Sequence, residues 1–178
     1  MTSRLLSCLR RHQIVRLELH ANLGHAPFGL PVALSAELVT LVFFRDFRPD
    51  GFTAVPISRI SRIHTAAYER AYTRICATDN LFARCSPPRL DTTSLIPLLA
   101  DLQRSLRPVL VNSAPTRTTN QTLLGRITAI SDENLILRPF DATATWQARS
   151  NIIPLKTLLD VQWNSHYLKT YHRHLPPI

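Results

Sequence analysis

At 178 residues, with 45% hydrophobic and 19% charged side chains, the chain is long enough for one ordinary domain or two small ones packed together. Its 21 Lys and Arg outnumber 12 Asp and Glu, for a formal charge of +9, which excludes an acidic disordered chain and admits polyanion binding. Four Gly against 13 Pro argue against Gly-rich phosphate loops and dinucleotide-binding folds. The basicity is almost all Arg, with only Lys156 and Lys169 besides, and it is spread evenly: ten bases against six acids over 1–80, eleven against six over 81–178.

The first 17 residues carry Arg4, Arg10, Arg11 and Arg16 and no acid. They read as a short surface helix or a disordered start, with a transit-like amphipathic leader as the alternative. No apolar run approaches the ~18 residues of a membrane-spanning helix. Leu38 to Phe44, the longest, reads as a buried strand, so no membrane partner is expected. Cys8, Cys76 and Cys85 are an odd count at wide spacing, which reads as free thiols and a cytoplasmic location.

The chain contains the same unit twice. Gly29-Leu-Pro-Val-Ala-Leu-Ser35-Ala-Glu37-Leu-Val-Thr-Leu41 matches Gly125-Arg-Ile-Thr-Ala-Ile-Ser131-Asp-Glu133-Asn-Leu-Ile-Leu137, with Gly, Ser and Glu at identical offsets. Val55-Pro56-Ile57-Ser-Arg-Ile60-Ser-Arg-Ile63 then matches Ile153-Pro154-Leu155-Lys-Thr-Leu158-Leu-Asp-Val161, and both units close on two tyrosines four apart, Tyr68/Tyr72 and Tyr167/Tyr171.

In physical terms each unit is an antiparallel meander. A strand from Ile14 to Leu19 and its counterpart Val109 to Asn112 open the units. Each Gly starts a second strand and allows the sharp bend that small barrels require. Ser131 to Asn134 is a tight polar turn, and Leu38–Phe44 and Leu135–Phe140 are return strands. Arg48-Pro49-Asp50-Gly51 is expected to be a hairpin connection with Gly51 at positive φ, and Asp141 to Trp146 a longer linker in the same place. The Ile-Pro-Leu segments read as a strand, a single helical turn and a last short strand, followed by a helix whose two tyrosines pack back on the sheet. Cys85-Ser-Pro87-Pro88-Arg-Leu-Asp91 is the boundary between units. Asp91, Thr92 or Thr93 is expected to cap a helix from Ser94 to Leu106, and 113–121, with Pro115, reads as a loop.

A helix, a strand, a Gly-led apolar strand pair, a variable loop and a φ-Pro-φ segment (φ here an apolar residue) resemble the Sm-like small β-barrel within the SH3-like architecture, over residues 14–75 and 92–172. The chain is also similar to uncharacterised bacterial proteins of this build. The resemblance implies a mainly β fold: two tandem Sm-like/SH3-like five-stranded barrels with short helices flanking each. The first unit spans 1–80, a Pro-rich linker 81–91, and the second unit 92–178. Sm-like proteins bind single-stranded RNA through an Asp and an Asn in one loop and an Arg-Gly pair in another. Asp132 and Asn134 fall near the first pattern, where the first unit has Ala36 and Leu38 instead. The Arg-Gly step is absent from both units, which read Val55-Pro56-Ile57 and Ile153-Pro154-Leu155.

Candidate nucleic-acid residues are therefore Asp132 and Asn134, with Arg59, Arg62, Arg70 and Arg74 beside Tyr68 and Tyr72; the bland reading of the arginines is a solvated face. His20, His25, His166, His172 and His174 match no zinc spacing, and no metal or cofactor is expected. Asp46 with Asp50, and Asp132 with Glu133, fall in predicted turns rather than acid–base pairs, and Trp146 and Trp163 read as core or rim aromatics. No catalytic nucleophile motif is present. The expectation is a non-enzymatic binding or assembly module that contacts RNA or protein through barrel loops and edges, with self-association open. The alternative is a small-molecule-sensing domain or enzyme with a site between the barrels.

Overall fold

The computed structural model describes residues 1–20, 26–114 and 122–177. The expected loop around Pro115 and the side chain of His25 lie outside them. Ten antiparallel strands form one open sheet in the order β5-β1-β2-β3-β4-β10-β6-β7-β8-β9. The strands are β1 Val15–Leu19, β2 Phe28–Leu34, β3 Leu38–Arg45, β4 Arg48–Pro56, β5 Ile60–His64, β6 Val109–Ser113, β7 Thr122–Ile130, β8 Asn134–Pro139, β9 Asn151–Pro154 and β10 Leu158–Trp163. Helices α1 (Thr2–Arg10), α2 (Ala67–Thr78), α3 (Leu95–Arg104) and α4 (His166–His174) accompany them.

The order β5-β1-β2-β3-β4 recurs as β10-β6-β7-β8-β9, so the internal sequence repeat is also a repeat of topology. Its conserved-looking positions do the same work in both halves. Gly29 faces Phe43 and Gly125 faces Pro139 across the sheet, and a Cβ at either would lie 2.2 Å from Val42 O or 2.4 Å from Arg138 O. Ser35 Oγ accepts from Leu38 N, and Ser131 Oγ from Asn134 N. Glu37 and Glu133 contribute their carbonyls, which accept from Ile57 N and Leu155 N. The third matched residue is thus kept by backbone geometry at the turn.

The sheet remains open from β5 to β9, where the sequence predicted two closed barrels: β4, the last meander strand of the first repeat, pairs with β10 of the second. Leu5 and Cys8 of α1 cover a core of Leu17, Leu41, Val55 and Ile63, into which Leu159 reaches from the second repeat. Leu98, Leu99 and Leu102 of α3 cover the second core, which takes in Leu38 and Ala54 of the first. The apolar i, i+3, i+4 stripe of α3 is what the core demands of a surface helix.

Several local expectations change. The hairpin turn is Asp46-Phe47, with φ of 49° and 61°, not Arg48 to Gly51. Two consecutive left-handed residues are what a tight hairpin needs, and Phe47 holds that conformation by stacking on Tyr72 at 4.2 Å and donating its N–H to Tyr72 Oη. Gly51 does have positive φ (94°), but inside β4, beside the register shift against β3. A Cβ there would lie 2.6 Å from Trp163 O, so the glycine serves the contact between repeats. Asp50 consequently belongs to a strand, not a turn. Ser94 is the residue that precedes α3, with no side-chain cap, while Asp91 accepts from Thr93 N instead. Of the first tyrosine pair only Tyr72 packs inward; Tyr68 tilts over Phe28 yet stays 62% exposed. Among the described residues no helix is long and apolar enough to cross a membrane.

Candidate functional site

Three features of the surface carry chemistry: the seam between the repeats, the two sheet edges, and the flanks of α4.

At the seam Ala54, Thr53 and Phe52 face Val161, Gln162 and Trp163. Asp160 is fully buried there and takes hydrogen bonds from Asn112 Nδ2 to both oxygens, from Thr53 Oγ1 and from Gln162 Nε2. Donors converging from β4, β6 and β10 hold a buried carboxylate that would otherwise be expensive. Arg59 Nε donates to Leu158 O at 3.2 Å, adding a second polar tie across the seam.

The edges β5 and β9 have a sheet neighbour on one side each, β1 and β8. In the repeat β9 corresponds to β4 and β5 to β10, so the edges are the counterparts of the two strands that meet in the seam. Ile152, counterpart of the fully buried Ala54, is 64% exposed.

Helix α4 is capped by Ser165, whose Oγ accepts from Leu168 N, and its His166 N–H donates to Asp50 Oδ1. Only Leu168 is buried from it. One flank borders a cleft of about 330 Å³ lined by Arg107, Asn164, Lys169, His172 and Arg173 with Pro108 and Leu168, none of them acidic. The other borders an open cleft of about 500 Å³ lined by Arg45, Tyr167, Tyr171, His166 and His174 with the small residues 142–144. The ring centroids of Tyr167 and Tyr171 lie 4.9 Å apart, and the neighbouring Tyr171 hydroxyl, with burial, raises the Tyr167 hydroxyl above its ordinary pKa. This second cleft lies where Arg45 of the first repeat meets α4 of the second, and it is open to solvent rather than deep.

The residues singled out from sequence fall in separate places. Arg59 is committed to the seam. Arg62 is exposed on β5 opposite Glu18, whose carboxyl is lowered by its hydrogen bond to His64 and, more weakly, by Arg62. Arg70 and Arg74 sit one turn apart on α2, Arg70 donating to Thr65 O. Asp132 and Asn134 belong to the β7–β8 turn of the other repeat, where the Asn134 backbone closes the turn with Ser131. No three His, Cys, Asp or Glu gather as metal ligands among the described residues. Sequence reading missed Arg45, Arg107, Lys169 and Arg173. The signal for α4 was present as nine residues, His-Tyr-Leu-Lys-Thr-Tyr-His-Arg-His, without one acid.

No protein family, curated protein or solved structure matches the chain.

Proposed function

We propose that the chain is a non-enzymatic assembly module, two Sm-like/SH3-like five-stranded units joined edge to edge, whose partner at the remaining edges is another molecule of itself. The observation that carries this is Ile152: a large apolar side chain left 64% exposed on a strand that has a neighbour on one side, at the position where the first repeat buries Ala54. Exposed edge strands are templates for pairing, and the Pro154 that ends β9 does not bar it, since β4 pairs with β10 although it ends in Pro56 at the matching place. Laid on the register of the seam, Ile152 and Asn151 face Ile63 and His64 of the next molecule, and Asn151 replaces Thr53 as the neighbour of Arg62, which stands where Asp160 does. Such contacts are head to tail, so they generate rings where the rotation closes and filaments where it does not.

Light scattering on size-exclusion fractions tests it. The native chain is expected to form species larger than a monomer, and Ile152→Lys to be monomeric. A β5 variant, Arg62→Pro, is also expected to be monomeric, and the two variants mixed are expected to give a dimer and nothing larger, because each retains one working edge. A monomeric native chain, or assemblies that survive Ile152→Lys, overturns the reading.

A further inference from the structure

We infer that the cleft between α4 and the segment entering β6 is a binding site for a diphosphate group, free or carried on a small molecule. The inference is independent of self-association.

The two repeats treat the same junction differently. Gln13 and Ile14 before β1 correspond to Arg107 and Pro108 before β6, since Val15 pairs with Gly29 as Val109 does with Gly125. Along the closing helices, with Tyr72 matching Tyr171, Arg70, Thr73 and Arg74 correspond to Lys169, His172 and Arg173. The first repeat shuts the junction with a neutral clasp. Thr73 Oγ1 accepts from Gln13 Nε2 at 2.8 Å and from Ile14 N at 3.0 Å, and donates its own hydrogen to Glu69 O. The second repeat cannot build that clasp. Pro108 has no N–H to give, and Arg107 and His172 replace the amide and the hydroxyl. Gln13 and Thr73 are half-buried, whereas Arg107 and His172 are exposed on the walls of the cleft of about 330 Å³.

Where the clasp is lost, cations gather. Arg107, Lys169 and Arg173 stay charged at neutral pH, His172 stands beside them, and none of the residues lining the cleft is acidic. The negative end of a helix draws bases to its last turn, which accounts for His172 and Arg173. It does not account for Arg107, which comes from outside α4 and is held by Asn164, its Nη1 donating to Asn164 Oδ1 at 3.1 Å. A guanidinium steadied in this way presents its N–H fork to two oxygens of one phosphate. Three permanent cations exceed the single charge of a carboxylate and the charge of about −1.5 to −2 on one phosphate group. Two linked phosphates match them.

Isothermal titration calorimetry of the full chain with inorganic pyrophosphate tests this, at physiological ionic strength, where exposed charges more than about 8 Å apart are screened. One saturable site per chain is expected. The double variant Lys169→Gln, Arg173→Gln is expected to weaken binding about tenfold or more, as the loss of two charge-assisted contacts does. Arg70→Gln with Arg74→Gln removes the same charge from the matching places of α2 and is expected to leave affinity within about twofold. Arg107→Gln with His172→Thr restores the residues of the first-repeat clasp. It is expected to abolish the site while the melting temperature stays at or above that of the native chain, a combination that unfolding cannot produce. Adenosine diphosphate in a second titration separates the sources: binding of both ligands assigns an esterified diphosphate, binding of pyrophosphate alone a free one, and either supports the site. Absence of saturable binding overturns the proposal. So do equal losses in the α2 and α4 double variants, or binding that Arg107→Gln with His172→Thr leaves intact.

Discussion

Ala54 and Ile152 hold the same position in the two repeats, opposite Thr40 and Ile136, yet Ala54 is fully buried and Ile152 is 64% exposed. The difference is made by β10, which lies beside β4 and has no counterpart beside β9. A seam inside the chain and an edge outside it are therefore the same surface with and without its neighbour. Substitution should separate them. Ala54→Lys puts an ammonium against Val161 in a buried seam and is expected to cost about 3 kcal/mol or more of stability. Ile152→Lys on the monomer should stay within ~0.5 kcal/mol, as surface changes do. Urea unfolding at low protein concentration measures both, and similar losses at the two sites would show that β9 is not a free edge.

The glycines of the repeat invite a second comparison. Gly29 and Gly125 each let a neighbouring strand approach so closely that a Cβ would meet a backbone carbonyl oxygen at 2.2 or 2.4 Å. Backbone cannot swing aside as a flexible side chain does, so Gly29→Ala and Gly125→Ala should each destabilise by about 2 kcal/mol or more through local displacement of β3 or β8. Thermal unfolding of the two variants checks it, and the similarity of the two losses is as informative as their size. Unchanged melting temperatures would mean that the strands part without cost.

The repeat was legible because its marks act within a single repeat. Ser at the turn bonds backbone of the same turn, and Gly at the close approach and Glu one residue before the return strand meet backbone of neighbouring strands of their own repeat, so their spacing survives in each copy. Strand identities followed from apolar runs for the same reason. The Asp46-Phe47 turn was hidden because Phe is a poor left-handed residue, stabilised there by Tyr72, 25 residues away in sequence. The pairing of β4 with β10 was hidden as well, since Thr53 and Asp160 meet across 107 residues and no periodicity encodes which edge a strand will choose. The role of Arg59 was hidden on the same ground. Arg59 looked available in sequence, but its guanidinium is used by the carbonyl of Leu158, while the acid-free α4 gained its partners Arg107 and Arg45 only on folding.

Glu69 gives the acid limb of stability a specific source. Its side chain is fully buried, and burial alone would raise its pKa; the backbone amides of Ala66 and of Glu69 itself, followed by the Arg16 guanidinium, outweigh that and hold it below the ordinary glutamate range. Ala66 N donates to Oε2 at 2.8 Å, and Arg16 Nε to Oε1 at 3.0 Å. A carboxyl whose pKa is lower folded than unfolded stabilises the fold above its unfolded value of about 4.3, and that contribution is lost as pH falls through the lower folded value. Glu69→Gln keeps an oxygen for the amides but carries no charge at any pH. The native chain should therefore exceed the variant in urea midpoint by a constant margin from pH 7 down to about pH 5. The margin should narrow steadily as the pH is lowered further. A margin that persists unchanged at pH 3 would assign the role of Glu69 to shape and hydrogen bonding alone, and would remove the pairing with Arg16 as a source of stability.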